Sequence, residues 1–286
     1  MKLVASAESS VLDALRAMVP GASARTLRQM FRQGRVSVNR GVCRIPSQTL
    51  QPGDVLEVGR RGHPPPAGGL EVVFEDRDLL VVHKPAGLLT VATPHENERT
   101  ACAYLDGYVE SRHRGGRVYI VHRLDKFVSG LLVFAKSERV QAALRRLFEA
   151  HDIDRRYWAI VEGRVHRDSG TIRSHLAEDR SLRMRSTTDT SQGKHAVTHY
   201  RVLRRFPRLT ALEITLETGR KNQIRAHLSE LGHPVAGDRA YGSTVDPLGR
   251  MGLHAFRLGF EHPIRKVQLR FETEAPPEFR RYLLPE

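Results

Sequence analysis

Apolar positions follow two rhythms along the chain. Leu12, Leu15 and Val19, then Leu27, Met30 and Phe31, recur at helical spacing, predicting short amphipathic helices over 9–19 and 24–33, with Ser23 as N-cap of the second. After Gly34 the period shortens to two: 36–39 reads as a strand, Asn39-Arg40-Gly41 as a turn, and Pro52-Gly53-Asp54 leads into a strand over 55–58. Residues 59–69 hold three prolines, which lack a backbone donor, and four conformationally loose glycines, so a linker is expected there. Beyond it, strands are predicted at 70–74, 79–83, 119–122, 131–135, 157–161, 199–204, 209–216, 253–260 and 267–272, with helices at 138–150, 221–231 and 276–283. Many strands with few helices between them imply an α+β fold with a mixed, mostly antiparallel sheet. The expected domains are 1–58, a linker over 59–69, and 70–286.

Charge changes the picture. The 286 residues include 46 Lys and Arg against 32 Asp and Glu, a net charge of +14, which makes a polyanion such as nucleic acid the leading partner class. Between Arg25 and Arg44 stand six arginines and no acid. On the second helix Arg25, Arg28, Arg32 and Arg35 fall at i, i+3, i+7 and i+10, which places them on one face as a basic stripe opposite much of the apolar side. Apolar runs reach only about five residues against the ~20 that span a bilayer, and Glu8 and Asp13 interrupt any secretory segment, so a cytoplasmic protein away from membranes is expected. Cys43 and Cys102 match no zinc pattern, and reduced thiols are expected. Phosphate-loop and dinucleotide motifs are missing, and His195 and His199 have no glutamate between them, so neither cofactor nor metal is expected. The expected oligomeric state is a monomer.

The segment Val121-His122-Arg123-Leu124-Asp125-Lys126-Phe127-Val128-Ser129-Gly130-Leu131 sets a carboxylate in a charged loop between two apolar strands. Such a carboxylate is half-desolvated, so on residue chemistry alone it is either a member of a structural ion pair or a catalytic group with a tuned pKa.

Two resemblances bear on that choice. The run 23–31, then Gly34-Arg35-Val36-Ser37-Val38-Asn39 and Leu50-Gln51-Pro52-Gly53-Asp54-Val55-Leu56, resembles an S4 domain, a small module that docks on structured RNA. That likeness implies that Arg25, Arg28, Arg32 and Arg35 face RNA phosphates. His122-Arg123-Leu124-Asp125 resembles the motif of pseudouridine synthases that modify large ribosomal RNA and some tRNA. Further matches follow in order: 74–88, 156–163 with Arg156-Tyr157, 216–228 with Gly219-Arg220-Lys221-Asn222-Gln223-Ile224-Arg225, then 232–242, 253–255 and 260–263. The likeness implies that Asp125 starts cleavage of the uridine C–N glycosidic bond and that Arg225 pairs with it. It implies further that Tyr157 stacks on the base and helps proton removal at C5, and that Arg123 enters the space left by the flipped uridine. Gln223 is carried over with Arg123 as substrate-binding. Isomerisation needs no oxidant or metal, in keeping with the missing cofactor motifs. Phe127 and Val128 depart from the polar residue and threonine usual there, and Asn222 from a histidine, which bears on substrate preference more than on activity. Two competing readings are a tRNA synthase, differing only in substrate, and a non-catalytic RNA-binding or ribosome-assembly protein on the same fold. Intact Asp125, Tyr157 and Arg225 speak against the second.

Overall fold

Contacts in the computed structural model, which describes residues 2–32, 35–39, 41–43, 45–58 and 66–283, divide the chain into two units. One comprises Met1–Pro65 with Ser111–Arg114, the other Pro66–Glu110 with Gly115–Glu286.

In the first unit Ser10 accepts the Asp13 N–H and starts α1 (Val11–Met18), and Ser23 accepts the Thr26 N–H and starts α2 (Ala24–Arg32). The strands are β1 (Lys2–Val4), β2 (Ser9–Ser10), β3 (Val36–Val38), β4 (Gly41–Val42), β5 (Thr49–Leu50) and β6 (Val55–Val58). They form a sheet in the order β1-β6-β3-β4 and a separate β2-β5 pair. Leu15, Leu27, Val36, Leu50 and Leu56 are buried between helices and strands, each adding roughly 1.5–3 kcal/mol. Asn39 takes the left-handed turn position, φ 50°, and its side chain accepts the Val55 N–H and donates to Asp54.

The four-arginine stripe is shorter than its spacing implied. Helix α2 ends at Arg32, and the Arg35 N–H donates to Met30 O, the 6→1 bond that terminates a helix, so Arg35 lies beyond it. Arg40, Arg44 and residues 59–65 of the expected linker lie outside the described residues. Pro66 is buried, Gly68 and Gly69 turn with positive φ, and a Cβ on Gly68 would come within 2.5 Å of the Tyr104 ring, so 66–69 is packed chain and not linker.

The second unit contains β7 (Glu71–Glu75), β8 (Leu79–Lys84), α3 (Ala101–Glu110), β9 (Tyr119–Ile120), β10 (Ser129–Ala135), α4 (Glu138–Glu149), β11 (Asp154–Glu162) and β12 (Ser169–Glu178). It continues with β13 (Met184–Thr187), β14 (Lys194–Arg205), β15 (Leu209–Leu216), α5 (Gln223–Glu230), β16 (Leu253–Glu261), β17 (Gln268–Glu272) and α6 (Pro277–Leu283). One sheet runs β13-β12-β14-β15-β11-β16-β10-β8-β7, with β17 on β16 and β9 on β10. Helix α3 and strands β12 and β13 were not anticipated.

The unbroken apolar runs of β8 and β10 follow from burial on both faces. Leu80, Val82, Leu132 and Phe134 point into one core, which α3 and α5 cover with Leu105 and Leu228. Leu79, Val81, Leu131 and Val133 point into the opposite core, covered by Val140 and Leu144 of α4. Among the described strand pairs, β10 with β16 alone is parallel. Gly130 permits that contact: its φ is 122°, and a Cβ there would lie 2.1 Å from Ala255 O. Strand β16, late in the sequence, thus inserts between β10 and β11, and Ala255 stands opposite both Gly130 and Tyr157. One strand therefore fixes the spacing between the loop that carries Asp125 and the strand that carries Tyr157.

Candidate active site

The loop before β10 is held on several sides. Buried Thr90 accepts the Leu124 N–H at 3.2 Å and donates to Leu124 O at 2.7 Å. The Val128 N–H closes a turn onto Asp125 O, leaving Lys126 and Phe127 at its corner. Lys126 O accepts from the Gly87 N–H at 2.8 Å and from Lys84 Nζ at 3.2 Å. Lys84 is fully buried and also donates to Pro85 O and Leu88 O, so three carbonyls meet its three N–H donors. Burial pulls its pKa down to about 7, against the charge of Asp125. With its backbone fixed, the quarter-exposed Asp125 carboxylate projects into a narrow cleft of about 70 Å³ walled by Val128, Leu216, Leu253 and Tyr157.

Arg225, on the first turn of α5, meets it there: Nη1 donates to Asp125 Oδ2 at 3.1 Å and to Asn222 Oδ1 at 3.0 Å. The other edge of the guanidinium grips Asp238 bidentately, Nε to Oδ2 at 2.5 Å and Nη2 to Oδ1 at 2.9 Å, and its plane lies over the Tyr241 ring, 4.6 Å from the centroid. Burial alone would lower the Arg225 pKa; the hydrogen bonds and charge of Asp238, followed by the charge of Asp125, outweigh it and raise the value. Asp238 is 1% exposed, and a fork held on a buried carboxylate cannot swivel, so it aims the remaining N–H at Asp125. Asp238 stands in the segment 232–242 but drew no role from the sequence. Its signal was an acid set among glycine, valine and alanine.

Tyr157 on β11 is 7% exposed and borders the cleft. An extra residue on β16, Phe256, bulges the ladder between Arg156 and Tyr157. Burial first, opposed by Arg155 and reinforced by Asp125, pushes the phenol pKa up. At neutral pH the group is therefore an uncharged ring and hydroxyl, suited to stacking and opposed to the phenolate that proton removal would need.

Arg123 is exposed, borders the same cleft and has no carboxylate partner among the described residues. Gln223 also borders it, yet its amide is committed inside the protein. Oε1 accepts from Thr218 Oγ1 and the Arg220 N–H, and Nε2 donates to Val197 O and Thr198 Oγ1. Its expected contact with substrate gives way to latching the start of α5. Arg25 and Arg28 are exposed on α2, Arg35 is half-buried with a partner, and Arg32 has its backbone in the helix.

Among the described residues, Asp76, Asp78 and His262 bring metal-ligand atoms within 4.8 Å of one another. Asp76 already accepts the backbone N–H groups of Asp78 and Leu79 and pairs with His262 at 2.9 Å, which makes the group a turn anchor. No helix among the described residues is long and apolar enough to cross a membrane.

Residues 78–230 match the family model described as RNA pseudouridylate synthase, and residues 12–56 match the S4 domain. The chain is 36% identical to the uncharacterized RNA pseudouridine synthase YlyB of Bacillus subtilis (strain 168), over 88% of this chain and 86% of the relative. It is 35% identical to ribosomal large subunit pseudouridine synthase D of Zymomonas mobilis, over 93% and 90%. The solved structure of the human RNA pseudouridylate synthase domain containing 4 protein superposes with a TM-score of 0.62 at 22% identity, over 74% of this chain and 92% of that one, a likeness of fold.

Proposed function

The chain belongs to the RNA pseudouridylate synthase family, and on that premise we propose that it isomerises uridine to pseudouridine in large-subunit ribosomal RNA. Ribosomal RNA is preferred to tRNA because relatives spanning most of the chain, such as that of Zymomonas mobilis, bear a ribosomal name. In the reaction the N1–C1′ bond breaks, the base turns within the site, C5 bonds to C1′, and the C5 proton leaves while N1 gains one. The single observation that carries the assignment of residues is the line Asp238–Arg225–Asp125 entering the cleft bordered by Tyr157.

In this reading Asp125 acts at C1′, its carboxylate aimed by Arg225. Its backbone is fixed by Thr90 and Lys84, so little reorganisation remains for the reactive step. Tyr157 and the apolar wall of Val128, Leu216 and Leu253 take the faces of the flipped base. Arg123 occupies the stack that the base vacates, where a free cation also meets flanking phosphates. Residues 1–58 form an RNA-docking domain and 70–286 the catalytic domain. Exposed Arg25 and Arg28 grip phosphate without reading sequence. A purely RNA-binding role would leave a semi-exposed carboxylate, repelled by phosphate, without purpose in the cleft.

The test is release of tritium from a large-subunit ribosomal RNA transcript carrying 5-tritiated uridine. Stoichiometric release by the wild-type protein, lost in Asp125→Asn with RNA binding retained, is the expected result. Release that survives in Asp125→Asn would overturn the assignment.

A further inference from the structure

Phe127 stands two residues after Asp125 and is 53% exposed, where the family's usual residue is polar. The ring is not an idle end of a loose loop. The turn that presents it is closed by the Val128 N–H on Asp125 O, anchored by Val128 at 2% exposure, and pinned through Lys126 O to Gly87 and buried Lys84. Lys126 Nζ lies 5.5 Å from the Phe127 ring centroid, so a cation sits beside the exposed aromatic face. Lys126 also borders a second cavity of about 470 Å³, lined further by Arg99 and Tyr104. Within it the Glu96 carboxylate is engaged by the backbone N–H groups of Glu98 and Arg99.

Holding an aromatic ring about half in water on a pinned turn forgoes much of the area it could bury. It does give an unpaired base a prepaid stacking surface, and the flanking ammonium suits the phosphate of that nucleotide. Residues two apart lie within ~7 Å along the backbone, so the ring reaches the immediate neighbour of whatever Asp125 attacks. Resting on the reading that the substrate is RNA, we propose that Phe127 is a specificity-determining stacking platform for an unpaired nucleotide next to the target uridine, with Lys126 meeting its phosphate. The requirement adds to base flipping itself: the target must lie in a loop or bulge whose neighbouring base is also free to leave its stack.

Phe127→Ala, Phe127→Tyr and Phe127→Trp separate stacking from a role in folding. On the tritiated large-subunit transcript, Phe127→Ala should lower kcat/KM about 5- to 150-fold, the ~1–3 kcal/mol of one base on one ring. The change should fall mainly on KM, with the thermal midpoint unchanged, and the Tyr and Trp variants should keep wild-type rates. Because Trp158 is the chain's sole tryptophan, the indole added in Phe127→Trp also reports directly, and the transcript should quench its emission beyond the change seen in wild type. A Phe127→Ala variant that retains wild-type kcat/KM, or an added indole that RNA leaves unquenched, overturns the proposal. Quenching with a wild-type protein that releases no tritium would sink isomerisation of this RNA and leave the platform standing. An active wild type with an unquenched indole would do the reverse, and silence in both assays overturns both for this RNA.

Discussion

Arg25 and Arg28 lie exposed on a short helix of the first unit, whereas Arg225 of the second is 12% exposed and contacts Asp238, Asp125, Asn222 and the Tyr241 ring. One residue type thus stands in two settings. An exposed guanidinium can move to whichever phosphate approaches and stays strongly hydrated until it does, which favours affinity and tolerates sequence. A buried guanidinium held by a carboxylate fork has one orientation, which suits a fixed reacting atom and tolerates little change. Burial and partner number, more than charge, separate the arginines proposed to hold RNA from the one proposed to serve its chemistry.

The sharpest way to break that contrast is Asp125→Asn. Isosteric loss of the carboxylate should reduce tritium release by at least about a thousandfold, as loss of a reacting group does, while RNA affinity and its salt dependence remain those of wild type. A residual rate above about a tenth of wild type would place the chemistry elsewhere.

Asp238→Ala probes the buried side through its orienting member. It removes the bidentate partner and leaves Arg225 buried with Asp125 and Asn222 alone. A loss of about 3 kcal/mol in stability is expected, together with a fall of roughly a hundredfold in kcat from a misaimed Asp125. Thermal melting and single-turnover tritium release measure the two effects. Full activity would show that Asp125 is aimed without Arg225.

Acid should separate the units by another route. His254 is fully buried, bonded to Ser129 and Thr273, and burial first, then the charges of His83 and Arg250, lowers its pKa to about 3. His122 accepts the Val133 N–H through Nε2 and is lowered to about 3 by burial and then Arg155. Folded, each binds fewer protons than the unfolded chain between about pH 3 and 6.5, so stability falls as pH drops through that window. The slope is up to ~1.4 kcal/mol per pH unit for each group. Both histidines belong to the second unit; the first includes His63 and His113 but no histidine among residues 2–58, where Leu15, Leu27 and Leu56 pack. From pH 7 to 5 the Trp158 emission midpoint should therefore fall while methyl resonances of Leu15, Leu27 and Leu56 hold; a parallel loss in both would refute the assignment.

What the sequence disclosed divides along similar lines. Periodicity located the amphipathic helices of the first unit and the doubly buried strands β8 and β10, because each depends on the pattern of its own residues. It passed over α3, where Ala101, Leu105, Tyr108 and Val109 do recur helically but Gly107 interrupts them. It also passed over β12, whose polar text Ser-Gly-Thr-Ile-Arg-Ser becomes a strand by pairing with β14. The likeness in motif order brought out Asp125, Tyr157 and Arg225 together. Asp238 escaped, since its importance lies in a contact across 13 residues that no local pattern encodes, and Gln223 misled, since lining a cleft differs from having a free amide.

The smallest expected effect tests the exposed side of the comparison. If Arg25 and Arg28 each displace condensed counterions from RNA, the variant Arg25→Ala/Arg28→Ala should reduce the slope of log affinity against log salt by about 1.5, taking ~0.7–0.9 per phosphate contact. The weakening should be the same for transcripts of different sequence, and the modified uridine should not change, because phosphate contacts position without specifying. Neither residue is buried, so thermal stability should shift by less than about 0.5 kcal/mol. Titrating a ribosomal RNA fragment with both proteins at several salt concentrations decides the matter. Parallel lines would mean that α2 does not touch phosphate and that the grip on RNA belongs to the second unit, which would place binding and chemistry on one surface.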